Sequence, residues 1–226
     1  SFTPQLRNWI PEKKQAGDLA VWRTPAMQLM MVEGVFIGLG WGAFDIAVPA
    51  FATLENVAER TGIIFAIMAA GNVIGGLYAG SISKKTSSLK AFRTIYGAWF
   101  LLSLPLAFTY PGWSMMIVTA SMSLMSGGLQ VFYFEISEAV RPKGSAVSAL
   151  GWLWTVEGTF ASIGAALGGF VSEHYSPRYV LALTTFCVGM GYLVFKSGSK
   201  LLQAADRVPT DQEDEEAIES NLDTNK

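Results

Sequence analysis

The fold is decided by the stretch Ala26-Met-Gln-Leu-Met-Met-Val-Glu-Gly-Val-Phe-Ile-Gly-Leu-Gly-Trp-Gly-Ala-Phe-Asp-Ile-Ala-Val-Pro-Ala-Phe51, in which Glu33 and Asp45 are the ionisable side chains. About 20 mostly apolar residues suffice to cross the hydrocarbon core of a bilayer as a helix. This stretch is apolar on every side rather than along one stripe, which is typical of a helix in lipid. It therefore predicts a transmembrane helix.

Five further segments have the same character, and they are 62–82, 94–109, 113–134, 144–171 and 179–195. The third and sixth segments are short, but flanking aromatic and lysine side chains extend such helices to the membrane interface. The whole chain is 51% hydrophobic and only 15% charged, whereas soluble domains carry roughly 25% charged residues. Alternating strands of about 10 residues, as a membrane barrel needs, are absent. We therefore predict an all-α membrane protein with six transmembrane helices.

The distribution of basic residues predicts the orientation of these helices. Loops on one side (1–25, 83–93, 135–143 and 196 onward) hold almost all lysines and arginines, whereas the opposite loops hold only Arg60 and Arg178. Positively charged loops stay on the cytoplasmic side of a membrane. We therefore expect a multi-pass protein of the cell membrane (inner or plasma membrane) with both termini in the cytoplasm.

An internal repeat occurs at a constant offset of 89 residues. Gly75-Gly-Leu-Tyr-Ala-Gly-Ser-Ile-Ser83 overlays Gly164-Ala-Ala-Leu-Gly-Gly-Phe-Val-Ser172, and Ser87 overlays Ser176. The matched segments end the second and fifth helices, which cross the membrane in opposite directions. Chance matching in glycine-rich helices is one interpretation, and an inverted repeat of three plus three helices is the other.

Four segments carry a resemblance to a known family. Residues 23–29 and 42–51 resemble the seventh helix of bacterial major facilitator superfamily proteins related to drug-efflux carriers, and 76–85 resembles the second copy of that family's glycine-rich cytoplasmic loop. Residues 135–146 are similar to the connection between its tenth and eleventh helices. Lys84 departs from the loop motif, since the stronger copy prefers aspartate there, and this puts charge-relay gating by the loop in doubt.

The resemblance spans roughly residues 20 to 200 and implies the C-terminal half of a twelve-helix transporter. Its partners would be the bilayer, the N-terminal six-helix half, a small-molecule substrate and protons. Helices one, two, four and five would line a central cavity, and helices three and six would face lipid. The implied organisation is a linker between halves (1–25), a six-helix bundle (26–200) and an acidic, disordered cytoplasmic tail (201–226). Because the chain opens with Ser1 rather than Met, we expect a fragment or a processed chain.

Three carboxyl groups lie inside predicted spans, where each costs about 2.5–3.5 kcal/mol and is a functional candidate by default. Glu157 lies midway along helix five, where desolvation favours the uncharged form and lets the group bind and release a proton. Asp45 precedes Pro49, which predicts a broken helix end beside a carboxylate; a helix-end acid satisfied by water or Arg60 is its structural alternative. Glu33 lies near the cytoplasmic end, and for it we favour a structural role.

Uncharged residues complete the candidate site. Gln130 and Asn72 either bind substrate or join helices by hydrogen bonds. Aromatic side chains on the presumed cavity helices can stack on a ligand or hold a cation, and the Trp152–Trp154 pair beside Glu157 is favoured; the others are Trp41, Phe132 and Tyr133. Closely spaced glycines predict helix packing rather than binding, and these are Gly71, Gly75, Gly76, Gly80, Gly164, Gly168 and Gly169.

The sequence lacks the residues that metal clusters, disulfide frameworks and phosphate-binding loops require. His174 is the only histidine and Cys187 the only cysteine, so neither a histidine-based metal cluster nor a disulfide framework is expected. Phosphate-cradling loops are missing, and we expect no metal, no cofactor, no nucleic-acid partner and no enzymatic activity.

The sequence therefore favours a proton-coupled exporter of small amphipathic or cationic molecules, in which Glu157 and Asp45 exchange protons. Proton-coupled uptake of a sugar or metabolite and a non-transporting membrane scaffold remain alternatives.

Overall fold

The computed structural model describes residues 20–83, 85–142 and 144–206, and within these ranges it contains helices and turns but no strand. The all-α prediction is therefore confirmed for this part of the chain. Three short 3-10 helices, Val21–Arg23, Leu106–Phe108 and Ser199–Ala205, accompany the long helices. The long helices are α1 Pro25–Leu54, α2 Arg60–Ser83, α3 Ser88–Ser103, α4 Trp113–Val140, α5 Ala146–His174 and α6 Pro177–Ser197.

Five segments are long and apolar enough to cross a membrane, with mean hydropathies between 1.3 and 1.8. They are α1, α2, α4, α6 and α3 together with the turn that follows it. The remaining helix, α5, has 29 residues and is therefore roughly 43 Å long at 1.5 Å per residue. Its hydropathy is lower because Glu157 and several hydroxyl side chains interrupt the apolar residues. These helices are those of a multi-pass membrane protein.

The boundaries of α3 and α4 differ from the prediction. Helix α3 begins early, at Ser88, because Ser87 caps it by accepting a hydrogen bond from the backbone N–H of Lys90 at 3.3 Å. It ends at Ser103, shortly before Pro105, whose nitrogen cannot continue the helical hydrogen bonds. Helix α4 continues to Val140, so most of the expected loop 135–143 is helical.

Helix α1 continues through Pro49 to Leu54. The predicted broken helix end is therefore wrong. Proline removes one backbone donor, so the carbonyl group of Asp45, one turn earlier, lacks its usual helical partner. Packing on both sides holds the helix together here, since Ala47, Val48 and Phe51 are all buried.

Glycines set the closest helix contacts. Helix α1 packs mainly against α5 and α6, and α2 packs against α4. A Cβ atom at Gly38 would overlap the carbonyl oxygen of Glu157, and one at Gly42 would overlap that of Ala161. The residue numbers on the two helices increase together, from the Gly38–Glu157 contact to the Gly42–Ala161 contact. Helices α1 and α5 therefore run parallel. Such close approach is what small residues permit between helices in membranes.

The glycines predicted to pack helices behave unequally. Gly71, Gly75 and Gly164 lie against atoms of neighbouring helices with no room for a Cβ, and a Cβ at Gly168 would lie 3.1 Å from Ala43. Gly76 and Gly169 make ordinary contacts at 3.6 and 3.9 Å. A Cβ at Gly80 would meet no described atom within 4 Å, so this glycine does not lie at a helix contact.

Hydrogen bonds tie the loops together at each end of the bundle. At one end Arg60 donates to the carbonyl of Pro111 at 3.0 Å, and Arg178 donates to that of Ala107 at 3.1 Å. At the other end Ser87 donates to the carboxylate of Asp206 at 2.6 Å. The last 3-10 helix buries Leu202 there, so packed structure continues beyond residue 200, where the tail was expected to begin. Residues 1–19, Lys84, Lys143 and 207–226, on which the linker, the loop lysines and the tail were predicted, lie outside the described residues.

Candidate functional site: a carboxylate and aromatic cavity

A cavity of about 370 Å³ lies among the first five long helices. Helix α1 contributes residues from Glu33 to Asp45, which spans about three turns and roughly 18 Å of its length. Helices α2, α4 and α5 supply further walls, as expected. A pocket of this size accommodates a drug-sized or smaller organic molecule.

Eight of the ten residues named as candidates for binding substrate or protons line this cavity. They come from four helices and lie up to 124 positions apart in the chain, so only the tertiary fold brings them together. The eight are Glu33, Trp41, Asp45, Asn72, Gln130, Tyr133, Trp154 and Glu157.

Trp152 and Phe132 are the two exceptions among the predicted site residues. Phe132 is buried and does not line the cavity. Trp152 is 44% exposed and is not among the side chains that line the cavity, whereas Trp154 is. Two positions along a helix correspond to a rotation of about 200°, so the two indoles point in nearly opposite directions. The favoured Trp152–Trp154 pair is therefore divided between two surfaces of α5.

The three carboxyl groups of the cavity lie in different surroundings. Glu33 is only 4% exposed and accepts a hydrogen bond from the hydroxyl of Tyr96 at 2.9 Å. Glu157 is half-buried and Asp45 is exposed. Arg60, the suggested partner of Asp45, donates instead to the carbonyl of Pro111. Among the described residues, the hydrogen-bond partner of Glu33 is Tyr96 and not a basic side chain.

The two predicted amide residues also differ. Asn72 accepts a hydrogen bond from Ser126 at 2.6 Å, which joins α2 to α4 across the cavity wall. This is the interhelical role that the sequence left open for Asn72. Gln130 is exposed and lines the cavity.

Aromatic rings form a continuous wall on one side of the cavity. Trp41 stacks on Trp99 with ring centroids 5.9 Å apart, and Tyr96 lies 5.5 Å from Trp99 and 5.3 Å from Phe92. Tyr133 extends the wall, 6.2 Å from Phe92. The buried indole N–H of Trp99 has no hydrogen-bond partner among the described atoms. A wall of this kind offers ring faces to an apolar or cationic ligand.

Helix α3 was expected to face lipid, and this expectation is wrong for one of its faces. Phe92, Tyr96 and Trp99 line the cavity. The expectation came from the family resemblance and not from the aromatic side chains of this helix. The spacing of four and three residues, which places these aromatic side chains on one helical face, was a signal available in the sequence.

The charge in the cavity has a single sign. Its lining contains three carboxyl groups and no lysine, arginine or histidine among the described residues. Elsewhere in the described ranges, no group of three or more His, Cys, Asp or Glu side chains could hold a metal ion. The cavity is therefore suited to a ligand that carries positive charge or to protons.

No protein-family model, curated protein or solved structure matches the chain.

Proposed function

We propose that this chain is the C-terminal six-helix half of a secondary transporter of the major facilitator superfamily, exporting small amphipathic or cationic molecules in exchange for protons. The observation that carries the proposal is the cavity, in which carboxyl groups from α1 and α5 converge beside a wall of aromatic rings. Carboxyl groups at membrane depth mark ion and substrate pathways. The substrate would bind between the rings and the acids, with Glu157 and Asp45 open to it.

The packing of α5 supports a sixth crossing. Helix α5 runs parallel to α1 along their shared contact, as two odd-numbered crossings must. Its length exceeds the roughly 30 Å of hydrocarbon in a bilayer. Glu157 lies beside the cavity. The exposed hydroxyl groups of Thr155, Thr159 and Ser162 donate hydrogen bonds to backbone carbonyls one turn earlier in the same helix, so they can lie in a membrane without a further partner.

Equivalent helix contacts support the three-plus-three repeat. Gly75 lies against the carbonyl of Leu124, and Gly164 lies against that of Leu39. The two glycines are 89 residues apart and the two leucines 85. Two further contacts between α2 and α4 become contacts between α5 and α1 when 89 is added to the α2 residue number and 85 is subtracted from the α4 residue number. The α2–α4 interface and the α5–α1 interface therefore have the same register. These further pairs are Asn72–Gly127 with Ala161–Gly42, and Ala79–Gly128 with Gly168–Ala43.

The exposed faces of the bundle support a second half as partner. Only 22% of the apolar 18-residue stretch of α2 is buried, compared with 50% of the corresponding stretches of α1, α4 and α6. On α5, Trp154 lines the cavity and is 58% exposed, so the cavity wall continues onto an open surface. An N-terminal six-helix half would close this side. The basic loops favour the cell membrane, with both termini in the cytoplasm.

The proposal is tested by transport. The full-length protein is reconstituted in liposomes, and proton movement is measured when a gradient of tetraphenylphosphonium, an aromatic cation, is applied. We expect proton flux in the opposite direction for the wild type and a loss of that flux for Glu157→Gln. Glu59→Gln is the matched control, because Glu59 is exposed in the turn before α2. Unchanged coupled flux in Glu157→Gln would remove that residue from the coupling role, and the absence of any flux in the wild type would contradict the proposed function.

A further inference from the structure

The three cavity carboxyl groups differ in their access to the ligand space. Glu157 and Asp45 present surface to the open side, whereas Glu33 is 4% exposed. A bulky organic cation can reach the first two directly. Glu33 also lines the cavity, but it lies deeper in the wall and offers much less surface to a bulky ligand.

Tyr96 fixes the position of the Glu33 carboxyl group. Its side chain is fully buried, and its ring is held by Phe92 and Trp99 on its own helix and by Phe195 of α6, 6.3 Å away. Its hydroxyl occupies space left by Gly191, since a Cβ there would collide with that oxygen. The hydroxyl is therefore placed by packing from two helices. It donates one hydrogen bond to Glu33.

Among the residues that the structure describes, no lysine, arginine or histidine lines the cavity beside Glu33. Its nearest ionisable neighbours are Tyr96 on α3, Tyr133 on α4 and Glu157 on α5. Helix α6 brings Tyr192, whose ring lies 5.7 Å from that of Tyr96, and α2 contributes only Met68 and Asn72 to the cavity lining. On α1 itself the other acid is Asp45, about three turns away. Burying a charged carboxylate beside another acid costs free energy, and the hydrogen bond from Tyr96 offsets only part of that cost.

From this geometry we infer that Glu33, held by Tyr96, is the proton-binding group of the cavity, and that Glu157 and Asp45 hold the cationic substrate. The inference rests on the proposed function and deepens it. In the empty cavity a proton from water binds a carboxylate oxygen of Glu33, giving the neutral acid. When the cation enters, its charge favours the carboxylate, and the proton returns to cavity water. One positive charge then replaces another in the same cavity.

Infrared spectroscopy tests the protonation directly. A protonated carboxyl group has a C=O stretching band that a carboxylate lacks, and the full-length protein in liposomes is measured with and without tetraphenylphosphonium. We expect this band at neutral pH in the wild type, its loss in Glu33→Gln, and its decrease when the cation is added. Glu157→Gln should keep the band. A band that persists in Glu33→Gln, or that disappears in Glu157→Gln, would overturn the inference.

A second variant, Tyr96→Phe, tests the inference even if Glu33→Gln fails to fold. It keeps the carboxyl group of Glu33 and removes only the hydroxyl of Tyr96. We expect its C=O band to shift in frequency, since the hydrogen bond to Glu33 is lost. An unshifted band would contradict the role of Tyr96. Glu59→Gln serves as the control variant and should reproduce the wild-type spectrum.

Transport separates a failure of this inference from a failure of the proposed function. The number of protons moved per tetraphenylphosphonium should fall to zero in Glu33→Gln. If the wild type couples the two fluxes and Glu33→Gln retains the coupling, the assignment to Glu33 is wrong and the transporter function stands. If the wild type shows no coupled flux, the proposed function fails, whatever the infrared band shows.

Discussion

A glycine-to-alanine series along the α1–α5 contact should separate variants by the space that the structure leaves for one methyl group. At Gly42 the new Cβ would overlap the backbone carbonyl of Ala161, which cannot rotate away, so the helices must separate. At Gly168 the nearest atoms belong to Ala43 and lie 3.1 Å away, so a small adjustment suffices. Gly34 is buried in the same helix as Gly42, yet a Cβ there meets nothing within 4 Å.

The expected magnitudes follow from these distances. Overpacking a tight contact costs about 1–3 kcal/mol of stability. We expect a loss of about 3 kcal/mol for Gly42→Ala and of about 1 kcal/mol for Gly168→Ala. Gly34→Ala should be neutral or stabilising by up to about 1 kcal/mol, since alanine favours helix more than glycine does. For a protein of this size, 1 kcal/mol corresponds to roughly 2–4 °C in Tm. Gly42→Ala should therefore melt about 6–12 °C below the wild type.

The assay is thermal unfolding of the purified full-length variants in one detergent, followed by circular dichroism. Gly75→Ala provides a second overlap, against Leu124 of α4, and should be destabilised in the same direction as Gly42→Ala. The reasoning is refuted if Gly42→Ala melts at the same temperature as Gly34→Ala. Equal losses for Gly42→Ala and Gly168→Ala would show that contact distance does not set the cost.

Two further contacts give matched tests. Trp154→Ala should weaken tetraphenylphosphonium binding by roughly tenfold, the loss of about 1–2 kcal/mol of cation–π attraction, whereas Trp152→Ala should not, because its indole does not line the cavity; equal effects in a binding titration would place the ligand elsewhere. Ser87→Ala should lower the stability by about 1 kcal/mol, since it removes the cap of α3 and the bond to Asp206. Ser197→Ala removes only an exposed bond within its own helix and is the control for the same melting experiment.

The sequence predicted residues that share one cavity where one large free-energy cost dominated. A carboxyl group in an apolar helix is expensive, and this cost alone identified Glu33, Asp45 and Glu157 as candidates, all of which line the cavity. Prediction failed for side chains that cost little free energy to place in lipid. Tyr96 and Trp99 are common in apolar helices, so their presence on α3 carried little weight, although their spacing placed them on one face.

Helix boundaries and individual roles depended on neighbours in space. Pro49 predicts a break by its chemistry, but buried side chains on both sides keep α1 continuous. The position of Glu33 near the predicted cytoplasmic end favoured a structural role, but its partner could not be predicted. That partner is the hydroxyl of Tyr96, 63 residues further along the chain.

The sequence by itself determined that the chain is helical and belongs in a membrane, because apolar length and scarce charge depend only on the order of residues. It also determined which side chains are too costly to be in lipid without a partner. The tertiary structure alone decided which of these side chains meet, how deeply each is buried and which glycines lie in contacts. The physical reason is that burial, hydrogen bonding and close packing are properties of pairs of residues distant in the chain. Local composition does not record those pairs.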